Sequence, residues 1–187
     1  GATRQVTGSC NLIETATSSV LLECGMYQGS NQDEWRNRQA CPFDVTQLDA
    51  VVISHTHLDH CGLLPKLVKD GYQGPVFMTP ATHDLIEVML NDAAFLEMKD
   101  TEWENRQRLR AGKTPVEPLY TDKDVEQTLR LREVHPYGES VKIVPIGAEG
   151  LLFSSAGTYP LPFSIVISKL KLTLGSKLQI TNSEFNT

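Results

Sequence analysis

Residues 50–62, AVVISHTHLDHCG, constrain the fold of this chain more than any other stretch. Four apolar residues, Ala50 to Ile53, run into a segment holding three of the five histidines and an aspartate: His55, His57, Asp59 and His60. Gly62 and the run Leu63-Leu64-Pro65 follow. A short uninterrupted apolar run before turn residues predicts a buried strand, and the apolar segment beyond the polar loop predicts a helix.

The spacing has a chemical consequence. His55 and His57 are two apart, so in extended backbone their imidazoles project to one side and can converge on one ion. Asp59 and His60 lie just past the strand, where a turn can aim both back toward that side. Nitrogen and carboxylate donors in such a cluster suit zinc and other imidazole-friendly metals. Asp59 would then orient a metal-bound water or take its proton. Cys61 is a further candidate if it faces the same pocket. The cysteines Cys10, Cys24, Cys41 and Cys61 contain no CxxC pair and read as structural thiols in a reducing compartment.

HTHLDH has the form HxHxDH and resembles the signature loop of the metallo-β-lactamase superfamily. Its surroundings, LDAVVISHTHLDHCGLLPKL, GYQGPVFMTPATHDLIEVML, GATRQVTGSCNLIET and LLECGMYQG, are similar to the RNA-processing branch that carries a β-CASP cap. The likeness is close over the first half of the chain and looser over the second. It implies an α/β (α+β) chain forming half or more of an αββα sandwich, read here as one domain over residues 1–187 without the cap. It also implies one or two zinc ions and cleavage of RNA phosphodiesters.

By the same resemblance His55 and His57 belong to a first metal, and Asp59 and His60 to a second. Glu23, in LLECG, stands where the family usually has an aspartate that braces the metal loop. The later family motifs are altered. Thr158, after Ser155-Ala156-Gly157, stands where a third histidine is expected. Residues 180–184 hold no aspartate, Glu184 lying one position from the place of the bridging acid. His135, in EVHPYGE, is the other histidine a refolded loop can bring in.

A net charge of -6 argues against a surface that binds nucleic acid everywhere, although local patches remain: Arg106, Arg108 and Arg110 with Lys113, and Arg130 with Arg132. No apolar run approaches the roughly 18 residues of a membrane span, and the N-terminus shows no signal pattern, so the expectation is a cytoplasmic chain. Three function classes follow: a metal-dependent hydrolase acting on RNA, a hydrolase of small carbonyl substrates such as β-lactams, and a non-catalytic or partner-dependent domain. The last would form a homodimer covering an exposed sheet surface.

Strands are expected at residues 5–14, 18–24, 75–78, 139–145, 151–155, 164–169 and 171–180, with a short helix over 63–70 and another from Thr121 or Asp122 to Arg132. The longest helical pattern runs from Thr82, its expected cap, to Arg110. Leu85, Val88, Met89, Asp92, Phe95 and Leu96 fall near a 3.6-residue period and mark its expected packed face, with His83 at its start.

Overall fold

A computed structural model of the chain describes residues 7–14, 18–29 and 34–137 in full, together with the backbone of four later strands. The hairpin strands β1 (Asn11–Glu14) and β2 (Ser19–Leu22) come first, followed by 3-10 turns at Trp35–Arg38 and Val45–Gln47. Next are β3 (Ala50–Ile53), one helical turn α1 (Leu58–Cys61), α2 (Leu64–Lys69), β4 (Val76–Met78) and the long α3 (Pro80–Arg110). The helix α4 (Asp122–Arg130) and β5 (Arg132–Val134) complete the fully described part. Beyond them lie β6 (Ser140–Lys142), β7 (Leu152–Ala156), β8 (Ser164–Ile167) and β9 (Gln179–Asn182).

One sheet has the order β5-β4-β3-β2-β1-β9; the other, antiparallel, has the order β6-β7-β8. From β2 to β5 the first sheet is parallel, whereas β1 pairs antiparallel with both β2 and β9. Parallel strands end on a common edge. The residues leaving that edge are Glu23, Ser54, Thr79 and His135, one after each of β2, β3, β4 and β5. This edge positions the chemistry, as expected for α/β sheets, where loops at the carboxyl ends of strands carry function.

Every residue of β3 is buried, which a parallel strand requires because helices cover its faces. Leu64 and Leu67 from α2, Ile86 and Leu90 from α3 and Val125 from α4 join Leu21, Val51, Ile53 and Val76 in one apolar core. Each fully buried Leu or Ile contributes roughly 1.5–3 kcal/mol relative to exposure. The local sequence sets the helix starts. Thr121 and Asp124 form a reciprocal capping box on α4. Asp44 caps the 3-10 turn at Val45 by accepting from Thr46 N.

Three expectations are corrected. Thr79, not Thr82, caps α3; its hydroxyl accepts from Thr82 N at 3.4 Å, and Pro80 fits the first helical position, where no amide hydrogen is needed. The helix expected to run to Arg132 ends at Arg130, and Arg132–Val134 pairs with β4 as an edge strand. The face of α3 expected to pack is instead solvent-exposed: Val88 is 67% and Phe95 54% accessible, while Thr82, Ile86, Leu90, Ala93, Ala94 and Thr101 are buried. Both faces repeat at helical spacing, so period alone could not choose. The side with smaller residues lets the helix approach the core.

Among the described residues, no helix is long and apolar enough to cross a membrane.

Candidate metal centre

The loop from Ser54 to Gly62 is held by main chain before any side chain is considered. Ser9 N donates to Asp59 O (2.9 Å), Cys24 N to His60 O (2.7 Å), Met26 N to Leu58 O (2.8 Å) and Leu63 N to Cys24 O (2.9 Å). The chain after β2 therefore runs alongside α1. The approach is so close that a Cβ on Gly25 would fall 1.8 Å from the Asp59 carbonyl oxygen, so only glycine fits there.

On this platform the four polar side chains lie near one another. His55 Nε2 lies 3.1 Å from His57 Nδ1, and His60 Nε2 lies 3.4 Å from Asp59 Oδ2. The His55 and His60 rings are 4.1 Å apart between centroids. Donors about 2.05 Å from a shared ion would subtend about 98° at 3.1 Å and about 112° at 3.4 Å, either side of the tetrahedral angle. The donor set and its spacing thus suit a metal cation.

Glu23, His55 and His60 also offer ligand atoms within 4.8 Å of one another, a cluster that could hold a metal. Yet both carboxylate oxygens of Glu23 are already engaged. Oε1 accepts from Ser54 N (2.9 Å) and Oε2 faces His60 Nδ1 (3.0 Å), with the residue buried. Glu23 therefore suits the role of a brace from behind the imidazole better than that of a ligand. Its backbone has φ +65°, an uncommon left-handed conformation for a side chain other than glycine, asparagine or aspartate. The surrounding hydrogen bonds hold it there.

The Glu23 hydrogen bond raises His60 above the ordinary histidine range, outweighing the opposing effect of burial. His55 shifts the other way: burial lowers it first, and neighbouring His60 second. The two imidazoles thus separate into one that holds its proton and one that sheds it. Ser54 Oγ lies 2.8 Å from His55 Nδ1, and a proton donated there leaves the Nε2 lone pair facing the cluster. Thr82 Oγ1 in turn donates to Ser54 O (3.1 Å) and meets Thr79 Oγ1 (3.0 Å). Sequence reasoning missed these hydroxyl braces on Ser54; their signal was the hydroxyl residues in TPAT and the serine ahead of the motif.

Among the described residues, the remaining candidates do not join the cluster. Cys61 is buried and donates to Thr56 O at 3.4 Å, and burial pushes its thiol up to about 12, so it packs into the core. His135 hydrogen-bonds through its backbone N to Met78 O, two strands from β3 and so about 10 Å away along the edge. The His83 ring lies against Asp84 at 3.3 Å. Glu184 and Thr158 lie outside the described residues. Arg108 is engaged by Thr114 O and Glu104, Arg130 by Glu126, and Arg132 by Leu129 O and His83 O. Arg106, Arg110 and Lys113 are exposed, but Arg106 lies about 36 Å along α3 from Thr82, at the end remote from the donors.

A groove of about 580 Å³ is lined by Arg38, Cys41, Lys66, Lys69 and Asp70 among others, none of them donors of the cluster. Its cations are occupied: Lys66 by Asp70 (2.6 Å), Lys69 by the carbonyls of Pro118 and Leu119, and Arg38 by Glu97 and Glu117 O. The histidine cluster lies at the sheet edge instead.

Comparison with known proteins shows the family. The chain is 41% identical over 160 residues to the ribonuclease TTHA0252 of Thermus thermophilus, covering 86% of this chain and 32% of that protein. It is 34% identical over 145 residues to the transcription termination factor FttA of Methanocaldococcus jannaschii, covering 78% and 21%. To Integrator complex subunit 11 of Danio rerio it is 30% identical over 171 residues, covering 82% and 28%. The chain spans a third or less of the length of each of these relatives. These relatives are consistent with the RNA-processing branch expected from the motif flanks. Residues 3–154 match the model of the metallo-beta-lactamase superfamily, a family that binds metals, and this chain belongs to it.

Proposed function

We propose that the chain hydrolyses RNA phosphodiesters in a zinc-dependent reaction. His55 and His57 would hold one ion and Asp59 and His60 a second, with Glu23 bracing His60. The supporting observation is the pairing of His55 with His57 at 3.1 Å and of Asp59 with His60 at 3.4 Å, side by side at the carboxyl edge of a parallel sheet. The relatives' names add the substrate class, since one is a ribonuclease and another acts in transcription termination.

Bound zinc supplies an acidified water and a positive charge for the phosphoryl oxygens. The chain's own residues do the rest. Asp59 stands beside the donors to accept the proton of the attacking water on a carboxylate oxygen. His55, lowered by burial, offers a neutral nitrogen at neutral pH. Ser54 and Glu23 fix the ring orientations of His55 and His60.

A second reading, a non-catalytic or partner-dependent domain, is favoured by the donor count. The assignment proposed above gives each ion two donors among the described residues, whereas catalytic zinc usually takes three protein ligands. Elemental analysis for zinc, combined with cleavage of a labelled single-stranded RNA by wild type and Asp59→Ala, separates the two readings. The hydrolase reading expects bound zinc and activity lost in the variant; equal residual cleavage in both proteins removes it.

A further inference from the structure

The hydrogen bonds around Glu23 describe a β-bulge. The β1–β2 ladder ends with Asn11 opposite Leu22, and the next bond between the two segments runs from Gly25 N to Ser9 O (2.8 Å). One residue, Cys10, fills that interval on one side, and two, Glu23 and Cys24, fill it on the other. Two residues facing one, the first of them left-handed, make a bulge of the type in which glycine usually holds the place that Glu23 takes here. The bulge sets Cys24 across from Cys10.

Both thiols come to one face. Cys10 and Cys24 line a small cavity of about 20 Å³ together with Cys41, Phe43 and Leu67. That volume holds about one water, which is too little for an organic ligand. All four cysteines are thiols. Burial first, and then Cys10 ahead of Cys41 and Cys61, pushes the Cys24 thiol up, so Cys10 is the sulfur that Cys24 feels most. Among the described residues, the one group of three donor atoms within 4.8 Å of one another is Glu23, His55 and His60, so the three sulfurs of the cavity form no ready-made ion site. The cavity therefore offers a pair. Facing residues of antiparallel strands have Cα atoms about 4.5–5.5 Å apart, inside the roughly 4.4–6.8 Å that a disulfide spans.

We propose that Cys10 and Cys24 form a reversible disulfide by exchange with a low-molecular-weight disulfide such as glutathione disulfide. Cys10 is partly exposed and Cys24 is buried, so the reagent meets Cys10 first. The Cys10 thiol gives its proton to solvent and its sulfur attacks one sulfur of the reagent; a mixed disulfide forms and one glutathione leaves. Cys24 then loses its proton and attacks the Cys10 sulfur, which closes the protein disulfide and releases the second glutathione. Two protein thiols are oxidised and one glutathione disulfide is reduced to two thiols. Excess glutathione runs both steps backwards. Exchangeable pairs of this kind are the form that disulfides usually take in a reducing compartment. The bond lies where the chain grips α1, since Ser9 N and Cys24 N hold the carbonyls of Asp59 and His60.

Peptide mapping tests the proposal, because trypsin cuts after Arg4, Arg36, Arg38 and Lys66 and so leaves Cys10 and Cys24 within residues 5–36 and Cys41 and Cys61 within 39–66. The folded chain is incubated with a large excess of glutathione disulfide, quenched in acid, alkylated and digested. The expected result is a 5–36 peptide lighter by two hydrogens and closed to alkylation, with both cysteines of 39–66 alkylated. Added glutathione should reopen both sites. Cys24→Ser should stop with one glutathione held on Cys10, and Cys41→Ser should oxidise as wild type does. Circular dichroism checks that the variants fold, and the wild-type map decides the matter without them. A bridge joining 5–36 to 39–66, a wild-type reaction that halts at the mixed disulfide, or thiols that stay reduced overturns the proposal. So does a native product mixture identical to that of the chain unfolded in urea.

Discussion

Replacing Glu23 by glutamine changes one oxygen to an amide nitrogen while keeping shape and volume, and the structure dictates which end is which. Ser54 N is a donor 2.9 Å from Oε1, so the glutamine oxygen must stay there. The amide nitrogen is then left facing His60 Nδ1, at the 3.0 Å now bridged by the carboxylate. An amide nitrogen can only donate, so Nδ1 must accept and the ring proton moves to Nε2. That proton points at Asp59, into the space where a cation would be held. A lost brace of this kind costs about 10- to 100-fold in metal affinity, or about 1.4–2.8 kcal/mol. The loss of a hydrogen bond to a charged group costs the metal-free fold about 1.5–3 kcal/mol.

Competition titration against a zinc chelator, with urea unfolding of the metal-free protein, reads both quantities. The stability difference has a definite pH dependence. His60 is raised in the folded state, so the stability from its pairing with Glu23 is full below the unfolded value of about 6.5 and declines as pH rises through the higher folded value. The gap between wild type and Glu23→Gln should therefore narrow with rising pH. Zinc binding at wild-type strength in the variant would refute the assignment of Glu23 as the brace.

Gly25→Ala should disrupt the donor loop, because its Cβ would overlap the Asp59 carbonyl oxygen; a lowered melting temperature and weakened zinc binding are expected together. Leu90→Ala should cost about 2–5 kcal/mol in urea unfolding, but Val88→Ala no more than about 0.5, the reverse of what helical periodicity alone implies. The opposite order would refute the placement of α3. Cys61→Ala should leave the zinc content of the purified protein unchanged, and a proportionate loss of zinc would make Cys61 a ligand.

The clustering of the loop's polar side chains was legible in sequence because its information is local. An apolar run ending in closely spaced donors leaves few ways to fold, and His55, His57, Asp59 and His60 assemble from one segment. Glu23 was reached through family resemblance, since nothing in LLECG alone tells which strand it follows into the site. The bracing of the Ser54 carbonyl by Thr82 was not legible, because it depends on β4 lying beside β3, a long-range fact. The packed side of α3 failed for another reason: its two faces carry competing apolar repeats, and tertiary packing decided between them. β5 was absorbed into the preceding helix because its three residues have a strand partner, β4, but no strand-like alternation of their own.

The main-chain bonds that fasten Asp59, His60 and Leu58 to Ser9, Cys24 and Met26 carry a lesson about heritable change. Because the amide skeleton sets the loop's path, side chains can be exchanged there with little movement of the scaffold. A lineage could thus retune which cation it prefers by altering single donors, while the stitching underneath, and Gly25 in particular, would stay fixed.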